Sequence, residues 1–239
     1  MTPAVFVHGF LGGSRQWDGQ VSALNGTPVI ALDLPGFGAQ AGEPALPGIG
    51  DYADWVIETL DDRGIEKCHL IGHSMGGMIA QEAVARAPDK VDRLVLYGTG
   101  ATGVLPGRFE TICASKERAQ TDGPEATARR ISATWFLDGG AAAGYEACAA
   151  IAEATSLNAM LTGLDAMKDW DGTEALGDIR SRTLVLWGDH DRTYPWQQTQ
   201  HLWQSIPSAS LSVIPMTAHA AHLEKPSLFN MVLSDFLDD

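Results

Sequence analysis

Six short apolar segments, separated by helix-like stretches, constrain this chain more than any other feature of its sequence. They read "AVFV" (4–7), "PVIAL" (28–32), "HLIG" (69–72), "RLVLYG" (93–98), "TLVLWG" (183–188) and "SLSVIP" (210–215). Most are near-continuous apolar runs, the pattern of strands covered on both faces of a parallel sheet. Helical periodicity at 14–24, 51–64, 75–87, 195–206 and 226–238 supplies the crossovers. Strand and helix in alternation predict an α/β fold with a mostly parallel sheet of about six strands.

The rhythm breaks between Ala101 and Asp171, where several helices follow one another with no strand candidate. The expected organisation is a core domain formed by 1–100 and 172–239, interrupted by a helical insertion over 101–171. Long insertions with structure of their own are often lids or binding elements over a site, although such helices also serve simply to cover a sheet edge. No repeat of the solenoid kind occurs.

Composition narrows the function. At 239 residues, 45% apolar and 19% charged, the chain has the make-up of an ordinary folded protein. Its longest apolar runs fall far short of the roughly 20 residues that span a bilayer, which predicts no membrane segment. With no basic and apolar leader after Met1, a cytoplasmic location is expected. Cys68, Cys113 and Cys148 are odd in number and widely spaced, and read as thiols rather than a disulfide or zinc framework. A net charge of −14 would repel nucleic acid and anionic lipid. The expected partner is a small-molecule substrate, handled by a monomer or homodimer without metal or cofactor.

The stretch "HLIGHSMGG" places Gly72-His73-Ser74-Met75-Gly76 between a strand and a helix, the context that a G-x-S-x-G nucleophile turn requires. Gly72 and Gly76 let backbones pass where side chains would collide at a sharp turn. The amides at the start of the following helix favour negative charge, and the Met75 N–H is a candidate oxyanion donor. A serine hydroxyl needs a base, and the base an orienting acid. Downstream, Asp191 follows one strand and His219 follows the last, at the sheet edge where open α/β folds place their sites. Asp189 and His222 are rivals for the same two roles, as a turn former and a helix-start residue respectively if not chosen. Upstream, His8-Gly9 aims the Phe10 N–H toward the second half of an oxyanion hole.

Taken together, "VHGFLGGSRQW", "VIALDLPGFG", "LIGHSMGG", "LVLWGDHDRTYP" and "HAAHLEKPSLFNMVLSDFL" resemble the α/β-hydrolase superfamily, in particular its cofactor-free serine hydrolase branch. The resemblance implies an α/β-hydrolase fold with a helical cap over 101–171. It assigns the acid to Asp191, two residues beyond Gly188 and its successor, and the base to His219, with Glu224 and Pro226 completing the pattern. It also departs from the family at two places: the usual N-terminal hairpin is missing, and Ala218 stands where glycine is common. The C–C bond hydrolases are similar but carry Asn where this chain has His73, and Trp where it has Ala220. The menaquinone-pathway synthase is similar but has Arg at the position of Met78.

What the resemblance implies for activity is a serine hydrolase of small carboxylic esters or lactones, of the 3-oxoadipate enol-lactonase type, working through an acyl-enzyme with Ser74, His219 and Asp191. The alternative is a C–C hydrolase or synthase-like lyase using the same triad for proton abstraction. Trp135, Phe136, Tyr145, Met160 and Met167 are expected in the core or lining an acyl pocket. Arg108, Arg129 and Arg130 are either solvated or available to a substrate carboxylate.

Overall fold

The computed structural model describes all residues except Asn25, Leu105, Ser208 and Asp239. Its strands are β1 (Ala4–Val7), β2 (Val29–Leu32), β3 (Cys68–His73), β4 (Val91–Tyr97), β5 (Arg182–Gly188) and β6 (Ala209–Ile214). They form one sheet in the order β2-β1-β3-β4-β5-β6. Every described strand pair is parallel, so the sheet is more uniform than the mostly parallel one expected.

The helices are α1 (Asp18–Ala23), α2 (Ile49–Asp62), α3 (Met75–Arg86), α4 (Ile112–Thr121), α5 (Pro124–Ala133), α6 (Tyr145–Glu153), α7 (Leu157–Lys168), α8 (Trp196–Ser205), α9 (Ala221–Glu224) and α10 (Pro226–Asp238). The stretch read as one helix over 14–24 is a 3-10 turn, Ser14–Trp17, followed by the short α1. None of the described helices is long and apolar enough to cross a membrane.

Strand residues sort by parity. Val5, Val7, Leu70, Leu94, Leu96 and Val185 join the core on the α2, α3 and α8 face. Ala4, Phe6, Ile71, Val95, Tyr97 and Leu186 join the one beneath α10, with Trp17. A fully buried Leu, Ile or Phe contributes about 1.5–3 kcal/mol, so both faces hold the sheet firmly.

Two features of this topology position a site. The chain leaves β1 to one side for β2 and crosses back to place β3 on the other, so the loops after β1 and β3 diverge and open a crevice at the strand ends. Between β4 and β5 run α4 to α7, with Thr111 and Ser156 capping α4 and α7 through Ala114 N and Ala159 N, both at 3.1 Å. The segment leaves and returns side by side, through an antiparallel bridge between Thr102 and Asp171. Trp135, Phe136, Tyr145, Met160 and Met167 are all buried in the larger core.

Candidate active site

Ser74 sits between β3 and α3 with φ 57° and ψ −122°, a conformation that non-glycine residues rarely adopt and that costs about 1–3 kcal/mol. Neighbours hold it there. Its amide donates to the Tyr97 carbonyl at 3.0 Å, and Thr99 Oγ1 donates to its carbonyl at 2.8 Å. The flanking glycines answer a steric demand: a Cβ on Gly76 would lie 2.2 Å from the Val7 carbonyl oxygen, and one on Gly72 2.3 Å from the Gly76 carbonyl oxygen.

The loop after β6 brings His219 to Asp191 in the loop after β5. His219 Nδ1 and Asp191 Oδ2 are 2.8 Å apart, and both residues are buried. Asp191 Oδ1 accepts from the amides of Thr193 at 2.7 Å and Tyr194 at 3.1 Å, so both carboxylate oxygens are committed. The rival Asp189 is bound elsewhere, accepting from Thr217 N and pairing with His190. The rival His222 faces Tyr97.

The bond to Asp191 places the proton of neutral His219 on Nδ1 and leaves Nε2 as the basic atom. The Ser74 hydroxyl meets the Tyr194 hydroxyl, whose ring stacks on His219 at 5.6 Å between centroids. Among the described residues no hydrogen bond joins Ser74 to His219. Such contacts often close only with substrate bound. Burial pushes the Tyr194 phenol up to about 12, so it remains a hydrogen-bond donor at neutral pH.

On the other wall, the loop after β1 carries His8 to Gly12, with Leu11 at φ 60°. The amides of Phe10 and Met75, the two expected oxyanion donors, meet no backbone acceptor among the described residues. His8 anchors this loop: its Nδ1 donates to the Gly9 carbonyl at 2.8 Å and its Nε2 accepts from Leu34 N at 3.0 Å. That pairing requires the neutral ring, and burial lowers its pKa to about 4.

Beneath the site lies an aromatic and imidazole cluster that the sequence reading passed over. The Tyr97 hydroxyl donates to the His219 carbonyl at 2.8 Å, and His73 Nε2 donates to the same oxygen at 3.1 Å. His73 stacks on Tyr97 with centroids 4.4 Å apart. With its own proton given to His219, the Tyr97 oxygen accepts from His222 N at 3.2 Å and Nδ1 at 3.1 Å. Burial, reinforced by neighbouring imidazoles, holds His73 well below the usual histidine range and His222 down to about 3. Tyr97 had been read only as the end of a strand; a polar-tipped aromatic at a strand's C-terminal edge was the available signal. Tyr194 carried none beyond its nearness to Asp191.

Glu224 gives the spacing after the base a physical meaning. Its Oε2 accepts from Ala218 N at 2.6 Å, and its Oε1 from Leu137 N at 2.7 Å, tying the His219 loop to the segment after α5. Trp135 lies 6.3 Å from His219 between ring centroids, and Gly163 of α7 packs against Phe10 and Phe37. The helices after β4 therefore touch both walls of the crevice.

A parallel sheet of this order, with a strained serine at its switch point and a histidine and carboxylate at later strand ends, defines an α/β hydrolase. Residues 4–231 match the model of the alpha/beta hydrolase family, and the chain belongs to that family. A protein of Variovorax paradoxus provisionally named carbamate hydrolase RutD is 30% identical, over 98% of this chain and 91% of its own. The 2-hydroxy-6-oxo-6-phenylhexa-2,4-dienoate hydrolase of Burkholderia cepacia is 28% identical, over 98% of this chain and 86% of its own. Among solved structures, the enol-lactonase from Burkholderia xenovorans LB400 matches in fold with a TM-score of 0.90 and 24% identity, covering 100% of this chain and 92% of that one. The protein is a hydrolase.

Proposed function

We propose that the protein cleaves a small carboxylic ester or lactone through an acyl-enzyme. Ser74 Oγ attacks the carbonyl as His219, oriented by Asp191, takes its proton. The Phe10 and Met75 amides hold the oxyanion; one such donor is typically worth about 10²–10³-fold in kcat. His219 returns the proton to the leaving group, then activates the water that releases the acid. The helices of 101–171 act as a cap that excludes bulk water from this chemistry. The observation that carries this reading is the His219–Asp191 bond, which leaves Nε2 as the basic atom of a neutral imidazole.

Carbamates present a similar carbonyl with a leaving group, and several relatives carry carbamate hydrolase names, so the substrate panel includes one. A C–C hydrolase activity has the support of the Burkholderia cepacia relative. Against it stands His73, which is stacked on Tyr97 and committed to the His219 carbonyl.

The test is a panel of p-nitrophenyl esters, lactones and an aryl carbamate, assayed on wild type and Ser74→Ala. Turnover by wild type that drops several orders of magnitude in the variant is expected. Equal rates for the two proteins would overturn the assignment.

A further inference from the structure

Tyr194 follows the acid Asp191 by three residues in the chain, and its backbone is fixed at both ends. Its amide donates to Asp191 Oδ1 at 3.1 Å, and its carbonyl accepts from Trp187 Nε1 at 2.9 Å. The ring stacks on His219, with centroids 5.6 Å apart and planes 21° off parallel. Gly100 leaves it room, since a Cβ there would stand 3.3 Å from Tyr194 Cδ1. This placement delivers a buried phenolic hydroxyl to the nucleophile.

Tyr97 and Tyr194 both touch the site, and they differ in what their hydroxyls have left to give. Tyr97 is fully engaged, donating to the His219 carbonyl and accepting from His222 N and Nδ1. The hydrogen-bond partner of the Tyr194 hydroxyl is Ser74, the residue whose oxygen reacts. A hydroxyl carries one donor and two acceptor positions, and burial keeps the proton on this one at neutral pH. In this chemistry it serves as a donor.

The oxygen most in need of a donor is the one that leaves. In the first half-reaction it sits on the same carbon as Ser74 Oγ, on the side where His219 Nε2 delivers the proton. In the second it is Ser74 Oγ itself, expelled after water attacks. The Phe10 and Met75 amides are engaged with the carbonyl oxygen and leave this position unserved. We propose that Tyr194 is a further catalytic residue of this site, its hydroxyl donating a hydrogen bond to the departing oxygen in both half-reactions. The C–O bond breaks with its electron pair going to that oxygen, His219 supplies the proton that ends there, and Tyr194 retains its own. This rests on the acyl-enzyme reading above and deepens it.

The test compares p-nitrophenyl acetate with ethyl acetate, which share an acyl group, in the full-length protein and Tyr194→Phe. Nitrophenolate is weakly basic and leaves unaided, whereas ethoxide needs help. In Tyr194→Phe, kcat/KM for ethyl acetate falls about ten- to a hundredfold, the range of a hydrogen bond to a charged group, and for the nitrophenyl ester less than about threefold. With the nitrophenyl ester kcat itself falls about tenfold, because releasing the acetyl group expels Ser74 Oγ, and a burst of nitrophenolate matching the enzyme concentration appears. Titration with diethyl p-nitrophenyl phosphate counts competent Ser74 in each protein, so a poorly folded fraction does not imitate the effect. Tyr97→Phe, which acts behind the base, lowers both esters by the same factor. An equal loss on the two esters in Tyr194→Phe, or no loss, overturns the role of Tyr194 and leaves the hydrolase reading intact. If wild type turns over only the nitrophenyl ester, the burst decides: its absence in Tyr194→Phe overturns the role. Wild type silent on both esters overturns the acyl-enzyme reading and the Tyr194 role with it.

Discussion

The Tyr97 hydroxyl donates to the backbone carbonyl of His219 at 2.8 Å, so the imidazole is held from behind by its main chain as well as from the side by Asp191. His73 reaches the same carbonyl at 3.1 Å. A base fixed at both ends needs little rearrangement when substrate arrives.

Tyr97→Phe keeps the ring packing and removes the hydroxyl. The His219 carbonyl then loses a donor and His222 Nδ1 loses its acceptor, and a buried unsatisfied polar group costs about 1–3 kcal/mol. We expect a lower Tm and a kcat reduced about tenfold with KM little changed, since the defect lies behind the base rather than in the substrate's path. Thermal melts and steady-state kinetics check it.

Glu224→Gln tests the tie between the base loop and the segment after α5. The carboxylate accepts from two amides, Ala218 N and Leu137 N, one on each oxygen. An amide side chain offers one acceptor and turns an N–H₂ toward the other donor. Stability should fall by about 1–3 kcal/mol, read from urea unfolding, and kcat should fall with it.

Gly76→Ala should leave no folded protein, whereas Gly19→Ala should be neutral or better. A Cβ at Gly76 meets two backbone carbonyl oxygens at 2.2 and 2.6 Å, which cannot yield as a side-chain tip would. At Gly19, inside α1, a Cβ meets nothing within 4 Å, and alanine is favoured over glycine in a helix by about 1 kcal/mol. Soluble yield and Tm of the pair decide the point.

Acid should unfold the protein well above the carboxylate range. His8, His73 and His222 have folded pKa values below the ordinary 6.5, so the unfolded chain binds their protons first and stability falls as pH drops through 6.5. The loss continues toward pH 4 for His8 and pH 3 for His222. His8 and His222 each cost about 2 kcal/mol by pH 5, at 1.36 kcal/mol per unit, and His73 adds to the loss in the same direction. Denaturant midpoints at pH 7.5 and 5.0 measure it, and equal midpoints would contradict the neutral cluster.

Much of the fold was legible because its signals are local. Apolar runs marked all six strands, with bounds within two residues of those found, most plainly at β1 and β3, which are buried along their whole length, and less so at the edge strand β6 with its Ser210 and Ser212. The exclusively parallel pairing was less visible, because pairing is a property of two segments and sequence shows only one at a time. The turn around Ser74 was also visible, as the collisions that demand Gly72 and Gly76 arise within and beside that one turn.

The choice between Asp189 and Asp191, two residues apart, rested in the sequence on position and family pattern. In the fold the two carboxylates are separated by what reaches them: Asp191 takes His219, while Asp189 takes Thr217 N and His190. Tyr97, His73 and Tyr194 acquire their contacts with His219 only when β3, β4 and the loops after β5 and β6 converge at one sheet edge. The sequence by itself determined the elements, the strained turn and the residue types available for chemistry, since these follow from neighbours in the chain. Only the tertiary structure decided which partners each group meets, because those are distances between residues far apart in the chain.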